Sequence, residues 1–241
     1  MKTLCDLDLS AKKVVIFDMD GTLIDSVGIW NVTDCKLIYN LSKHEVSEEQ
    51  VQLERDSFIT SNNTTDIYLA YCGYLAEKYK IDMPSEEILK LRWGISDEFL
   101  ERDVDYRKDA DLVLKELKRQ GYKLALATIT TQRQLDIYKN INKNTMSKAN
   151  IADVFDLVIS KEDVLHKKPH PEIYLKVLEQ LGVSADEALV FEDSLVGVQA
   201  AKNAGIEVVS VCDKYSDADR KEIDDLSDYK IKNYAEVFDI L

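Results

Sequence analysis

The chain has 241 residues, of which 45% are hydrophobic and 32% charged, and this composition predicts a folded chain with a sizeable core rather than a disordered one. Its 31 basic and 45 acidic residues give a net charge of −14, which argues against nucleic acid as a main partner because such a surface repels phosphate backbones. Local positive charge inside a cleft is still compatible with a small phosphorylated substrate. No apolar stretch approaches the length of a membrane span, so no membrane partner is expected.

The start of the chain and its cysteines predict a cytoplasmic protein. Asp6 and Asp8 interrupt the first residues, and the first apolar run, Val14–Phe17, is too short for a secretory signal. The four cysteines are widely scattered and lack the paired spacing of a disulfide framework or a zinc site, which fits a reducing compartment. No pattern encodes the oligomeric state, and a monomer is the default expectation.

Short β-branched and aromatic runs alternate with helical patterns along most of the chain. The predicted strands are Lys13–Phe17, Lys123–Ala127, Phe155–Ile159, Ala188–Phe191 and Glu207–Val211. Three predicted helices end next to a glycine, and they are Ala110–Gln120, Pro171–Leu181 and Leu195–Ala204. This alternation predicts an α/β fold with a doubly wound, parallel-sheet, Rossmann-like core, which binds ligands at the carboxyl ends of its strands.

Residues 27–106 interrupt the alternation, because they show helical periodicity and no convincing strand. Ser47 and Ser85 are placed to begin helices, and Asp34 is the polar exception on an otherwise apolar helical stripe. We predict an inserted all-helical cap domain at 27–106 and an α/β core domain formed by 1–26 and 107–241. A lid over the strand ends is the expected role of the cap, and a purely structural helical layer is the alternative.

Polar residues follow three of the predicted strands, where the carboxyl ends of parallel strands share one edge. They are Asp18 and Asp20 after the first strand, Thr128 after the second, and Glu192 and Asp193 after the fourth. Four carboxylates in a small volume cannot all stay ionised without a cation, and a hard divalent ion with oxygen ligands meets this need, so Mg²⁺ is the expected cofactor. Lys168, just before a predicted helix, adds a further positive charge.

The positions of these residues predict phosphoryl transfer. Asp18, directly at a strand end, is the predicted nucleophile that forms an aspartyl phosphate, and Asp20 is the predicted general acid and then base. Gly21 permits a sharp turn beside the substrate, while Thr128 and the backbone N–H groups that follow it, including that of Ile129, are predicted to bind phosphoryl oxygens. Each piece alone is common in turns and helix caps. Their combination at strand ends is typical of an active site.

Four segments resemble, in order, the signatures of the haloacid dehalogenase-like hydrolases. They are VVIFDMDGTLIDS (Val14–Ser26), LALATITT (Leu124–Thr131), HKKPHPEIY (His166–Tyr174) and VFEDSLVGVQAAKNAG (Val190–Gly205). The sequence is similar to the β-phosphoglucomutase-like branch, whose members carry a four-helix cap after the first signature. An aspartate at position 20 resembles the phosphatases and mutases of the superfamily and disfavours a dehalogenase.

The resemblance implies a role for each residue at the predicted site. It assigns the nucleophile, the acid and base, the phosphate ligand and the charge-balancing lysine to Asp18, Asp20, Thr128 and Lys168, respectively. It also implies that Mg²⁺ is bound by the Asp18 side chain, the Asp20 backbone carbonyl and Asp193, with Glu192 acting directly or through water.

Departures from the branch favour water as the phosphoryl acceptor. Trp30 stands where related mutases carry a cap histidine, His44 is the only histidine of the predicted cap, and Ser57–Asp66 lacks a basic residue for a second phosphate. We therefore expect an Mg²⁺-dependent phosphatase that hydrolyses a small phosphorylated metabolite such as a sugar phosphate. A phosphomutase and a non-catalytic binding or regulatory protein on the same scaffold are the alternatives. His166 and His170 lack the spacing of metal ligands and are expected to be polar loop residues.

Overall fold

The structure, a computed structural model, describes residues 4–62, 64, 66–238 and 240–241. Residues 63 and 65 of the predicted segment Ser57–Asp66 therefore lie outside the described residues. The chain divides into a sheet unit, formed by the residues up to Val27 together with Val104–Leu241, and a helical unit, Gly28–Asp103. Tyr106, which the sequence analysis placed in the insert, lies in the sheet unit, where it pairs with Ile24 and donates a hydrogen bond to the Ala149 carbonyl at 2.6 Å.

Six parallel strands form one sheet with the order β3-β2-β1-β4-β5-β6. Their bounds are β1 Val14–Phe17, β2 Lys123–Ala127, β3 Leu157–Ile159, β4 Ala188–Glu192, β5 Glu207–Val211 and β6 Tyr229–Ile231. The first five lie where the sequence predicts strands, and β6 was not predicted. Because β1 lies between β2 and β4, its carboxyl end adjoins the ends of both neighbours.

Burial on both faces explains the apolar composition of the central strands. Val14 and Ile16 of β1 belong to an apolar cluster that includes residues of the helices following β3 and β4, whereas Val15 and Phe17 point to the opposite face. All four side chains are fully buried, so both faces of the sheet are covered, as the prediction of a doubly wound α/β fold requires. The helices of the sheet unit are α5 Ala110–Arg119, α6 Gln132–Asn140, α7 Lys143–Ala149, α8 Ile151–Val154, α9 Glu172–Leu181, α10 Leu195–Asn203, α11 Arg220–Leu226 and α12 Ala235–Phe238.

The helical unit consists of four helices inserted between β1 and β2, and no strand lies among its described residues. The helices are α1 Ile29–Ser42, α2 Glu48–Ser61, α3 Ile67–Tyr79 and α4 Ser85–Arg102. Ser47 caps α2 by accepting a hydrogen bond from the backbone N–H of Gln50. In the described part of the chain, no helix has the length and apolar character needed to cross a membrane.

A buried ion cluster explains the polar exception on the apolar stripe of α1. Asp34 is completely buried and accepts hydrogen bonds from Arg92 Nε at 2.6 Å and from Arg55 Nη1 at 3.0 Å. Arg55 also donates to Asn31 Oδ1 at 2.7 Å, and the Arg92 guanidinium lies 4.9 Å from the centroid of the Trp30 ring. The carboxylate thus ties α1 to both α2 and α4.

We predict that Asp34→Asn destabilises the helical unit strongly. The substitution preserves the shape of the side chain but leaves two buried guanidinium groups without their shared carboxylate, which costs about 3–5 kcal/mol in free energy of unfolding. Urea denaturation followed by circular dichroism measures the change. Glu98→Gln, which removes the partner of Lys36 from an exposed pair, is the matched control and should leave the unfolding midpoint unchanged. Equal midpoints for the two variants would contradict the prediction.

Candidate active site

A buried lysine joins the carboxyl ends of three strands. Lys168 Nζ donates hydrogen bonds to Asp18 Oδ1 and to Glu192 Oε1, each at 2.6 Å, and to the carbonyl of Ala127 at 3.2 Å. Asp18 directly follows β1, and its backbone N–H still pairs with the carbonyl of Phe191 in β4 at 3.0 Å, which fixes the base of its side chain. Burial lowers the pKa of Lys168, but the charges of Asp18 and Glu192 outweigh it and hold that pKa well above its usual range.

Three buried carboxylates converge at these strand ends. Among the described residues, Asp18, Glu192 and Asp193 each offer an oxygen, and these atoms all lie within 4.8 Å of one another. Burial raises the pKa of Asp18 to about 7 although Lys168 opposes the shift, and burial with the charges of Glu192 and Asp18 raises the pKa of Asp193 well above its usual range. One ammonium group does not balance three buried carboxylates. The all-oxygen donor set therefore fits a hard divalent cation.

Gly21 makes room for one of these carboxylates. Its φ of +85° lies in the left-handed region, and a Cβ at this position would stand 2.4 Å from Asp193 Oδ2. Thr22 Oγ1 donates a hydrogen bond to Asp193 Oδ1 at 2.7 Å, and Arg107 Nη1 donates to the Gly21 carbonyl at 2.7 Å. The turn after β1 is thus held against Asp193. Sequence reasoning predicted the turn but not the contact with Asp193.

Gly197 plays the corresponding part for Glu192. A Cβ on this residue of α10 would stand 1.7 Å from Glu192 Oε1, the oxygen that accepts from Lys168. The other oxygen, Oε2, accepts from the backbone N–H of Ser194 at 2.9 Å and from its hydroxyl at 3.0 Å. Both oxygens of Glu192 thus accept hydrogen bonds from protein groups, and the carboxylate orients Lys168.

Asp20 lies apart from the carboxylate cluster and is held by hydroxyl groups. Ser26 Oγ donates to Asp20 Oδ1 at 2.5 Å, and Thr130 Oγ1 donates to Asp20 Oδ2. Thr130 Oγ1 is also 2.8 Å from Thr128 Oγ1, which accepts the backbone N–H of Thr130 at 3.1 Å. The predicted acid and base is therefore linked to the predicted phosphate ligand through Thr130. The Ile129 side chain is exposed, so its predicted role falls to the backbone N–H.

The structure brings the predicted residues into two neighbouring groups, one around Lys168 and one around Thr130. Sequence reasoning assigned no site role to Thr22, Ser26, Thr130, Ser194 or Gly197. All five lie within the quoted signatures, and four of them carry hydroxyl groups. The signal for Gly197 was available as well, because an isolated glycine inside a predicted helix costs stability and therefore indicates a close approach.

We predict that Gly197→Ala lowers kcat while the fold is retained. The added methyl group must displace the end of the Glu192 side chain, which then releases Lys168, and misplacement of a catalytic group by about 1 Å costs roughly 100-fold in rate. Turnover of p-nitrophenyl phosphate and far-UV circular dichroism measure the two effects. Gly94→Ala in α4 is the matched control, because a Cβ there meets nothing within 4 Å. A folded Gly197→Ala variant with full activity would refute the proposed contact.

Comparison with known proteins identifies the family. The sequence profile of haloacid dehalogenase-like hydrolases matches residues 15–211. A phosphorylated carbohydrates phosphatase of Thermotoga maritima is 29% identical over 199 residues, which cover 81% of this chain and 82% of the relative. A phosphoglycolate phosphatase of Aquifex aeolicus is 29% identical over 196 residues, covering 80% of this chain and 81% of the relative.

Solved structures share the fold of this chain. The crystal structure of CbbY from Rhodobacter sphaeroides in complex with phosphate has a TM-score of 0.70 at 24% identity and covers 94% of this chain and 96% of that one. A candidate beta-phosphoglucomutase from Thermotoga maritima has a TM-score of 0.77 at 27% identity, with coverage of 95% and 98%. The chain therefore belongs to the haloacid dehalogenase-like hydrolases, in the branch with a helical cap between the first two strands, and is an enzyme of the phosphatase type.

Proposed function

We propose that the protein is an Mg²⁺-dependent phosphatase that hydrolyses monoesters of small phosphorylated metabolites through a phosphoryl group carried by Asp18. The observation that carries this proposal is the position of Lys168 Nζ, 2.6 Å from both Asp18 and Glu192 within a buried cluster of carboxylates. A carboxylate placed beside an ammonium group and a divalent cation meets a phosphoryl group in a field that offsets the negative charge of both.

In the first step, the Asp18 carboxylate attacks phosphorus and the bond from phosphorus to the leaving oxygen breaks. Asp20, protonated at this stage, donates its proton to the leaving oxygen, and the alcohol departs. In the second step, water attacks phosphorus, Asp20 takes the water proton, and the bond between Asp18 and phosphorus breaks. Inorganic phosphate then leaves, so that Asp18 is again a carboxylate and Asp20 is again protonated.

The remaining residues bind and orient the phosphoryl group. Thr128 and the backbone N–H of Ile129 would donate hydrogen bonds to its oxygens, while Lys168 offsets its charge. The residues proposed to hold Mg²⁺ are Asp18 and Asp193 through their carboxylates and Asp20 through its backbone carbonyl, with Glu192 acting directly or through water. When bound, Mg²⁺ supplies positive charge that stabilises the oxygens of the transferring group.

The relatives support a small phosphorylated metabolite as substrate. One is named for phosphorylated carbohydrates and another for phosphoglycolate, and each spans about four fifths of this chain. Both names describe monoesters of small molecules. Water as the acceptor is supported by the surroundings of Trp30, whose ring packs beside the Arg92 guanidinium in the helical unit and offers no imidazole that could handle a proton.

We predict that Asp18→Asn abolishes turnover of p-nitrophenyl phosphate in Mg²⁺, because an amide cannot form the acyl phosphate. Asp20→Asn should lower kcat by about 10²–10⁴-fold, the usual contribution of a general acid and base. Borohydride reduction of enzyme quenched during turnover should convert Asp18 to homoserine, which peptide mass spectrometry detects. Asp136→Asn, on the exposed side of α6, is the control and should retain activity. A labelled residue other than Asp18 would contradict the assignment of the nucleophile.

A second prediction concerns the acceptor. With a sugar 1-phosphate and a trace of the corresponding bisphosphate, the enzyme should release one inorganic phosphate for each sugar phosphate consumed and should form no isomer. Phosphate assay and ³¹P NMR follow both products. Accumulation of the isomer with little free phosphate would establish a phosphomutase instead. A folded protein that releases no phosphate from any member of a metabolite panel would favour the non-catalytic alternative.

A further inference from the structure

The segment that carries Lys168 also brings two histidines and a glutamate together at the surface of the sheet unit. His166, His170 and Glu172 each offer a ligand atom, and within the described part of the chain these atoms lie within 4.8 Å of one another. His166 Nδ1 is 2.9 Å from Glu172 Oε2, and the centroids of the two imidazole rings are 4.4 Å apart. We propose that these three side chains form a binding site for a divalent transition-metal ion of the Zn²⁺ class, separate from the buried carboxylates around Asp18.

Backbone hydrogen bonds hold the side chains of Glu172 and His170, and Glu172 in turn contacts the His166 ring. Glu172, the first residue of α9, accepts the backbone N–H groups of Leu165 at 3.0 Å and His166 at 2.8 Å, so the loop closes onto the start of the helix. His170 lies on a turn in which its N–H donates to the carbonyl of Lys167 at 3.0 Å, and its Nδ1 accepts the N–H of Glu172 at 3.3 Å. The ligands are therefore positioned before an ion arrives.

The sequence predicted polar loop residues here because the spacing of His166 and His170 is not that of two ligands on one helix. The spacing does not keep the two rings apart, because the turn folds the chain back so that they face each other. The interpretation of these histidines from spacing alone therefore does not account for their arrangement.

The chemistry of the two clusters predicts different ions. Two imidazoles and one carboxylate, with an open side toward solvent, form the three-ligand set that Zn²⁺ and similar ions take in proteins. The carboxylates of Asp18, Glu192 and Asp193 are all oxygen donors and buried, which suits Mg²⁺. A solution that contains millimolar Mg²⁺ should thus leave the histidine site free for a softer ion.

Metal titration of the full chain tests the proposal. Protein stripped with chelator and returned to 5 mM Mg²⁺ is titrated with Zn²⁺ in a calorimeter and with Co²⁺ in a visible spectrometer. We expect one equivalent to bind, with d–d bands typical of nitrogen and oxygen ligands. His166→Ala and His170→Ala should each weaken binding at least tenfold, and the double variant should abolish it. Circular dichroism verifies that each variant is folded.

The third histidine of the chain provides a matched control. His44 is exposed in the helical unit, and His44→Ala should bind the ion as the unmodified chain does. Asp193→Asn, which alters the buried carboxylates, should also still bind one equivalent of Zn²⁺. The proposal is overturned if Zn²⁺ binding survives in the double histidine variant, if it is lost in Asp193→Asn, or if the Co²⁺ complex shows the intense near-ultraviolet band of a thiolate ligand. Binding weaker than millimolar in the unmodified chain would overturn it as well.

Discussion

The site depends on one buried ammonium group. Carboxylates at the ends of neighbouring parallel strands repel one another, and burial removes the water that would otherwise screen them. Lys168 Nζ offsets this cost by donating to Asp18, to Glu192 and to the backbone carbonyl of Ala127, so that its three N–H groups all have acceptors. Removing the lysine would leave the buried carboxylates of Asp18 and Glu192 without the ammonium group that offsets their charge. The position of the predicted nucleophile therefore depends on a residue that lies 150 positions further along the chain.

The carboxylates of the site fit together only where the backbone leaves space for them. Two glycines lie where a Cβ would overlap a carboxylate, Gly21 against Asp193 and Gly197 against Glu192. Gly197 has an ordinary helical backbone, so conformational freedom does not explain it. The glycine at position 197 is explained instead by the space that the side chain of Glu192 occupies. Packing constraints and charge constraints at this site are thus met by the same few residues.

The sequence predicted the central fold well because its signals are local. Continuous apolar runs indicated the first five strands, and the insert showed helical periodicity throughout. The strand β6 escaped prediction because it has three residues, Tyr229–Ile231, with a lysine in the middle and no apolar run. The helix α6 escaped as well, since its composition is polar, although Thr131 and Gln134 form a capping box that marks its start.

The site was predictable as far as strand ends determine it. Knowing that parallel strands end at one edge was enough to group Asp18 with Glu192 and Asp193. Contacts that join distant segments were not predictable in the same way, because nothing local indicates that Thr130 meets Asp20 across 110 positions. The pairing of His166 with His170 likewise depends on a turn whose geometry the spacing does not reveal.

The partners of the two predicted catalytic aspartates differ in a way that suits their proposed roles. Lys168 offers Asp18 only donors, because an ammonium group has no lone pair, so this contact favours the ionised form that a nucleophile requires. Asp20 instead contacts hydroxyl groups, from Ser26 and Thr130, and a hydroxyl can donate or accept. When Asp20 takes a proton, its new O–H group can donate a hydrogen bond to the oxygen of Ser26 or Thr130, because either hydroxyl can rotate from donor to acceptor.

A lysine in place of either hydroxyl would hold Asp20 in the ionised form and prevent this exchange. A second carboxylate would instead favour the protonated form and hinder release of the proton. Thr130 also forms a hydrogen bond of this adaptable kind with Thr128, since the two hydroxyl oxygens are 2.8 Å apart and either group can be the donor. The proton on the acid and base and the hydrogen bonds to the phosphoryl group are therefore coupled through one threonine. Lys168 thus favours the ionised form of Asp18 although burial raises the pKa of this carboxyl group, whereas the hydroxyl partners of Asp20 can either donate or accept a hydrogen bond during the reaction.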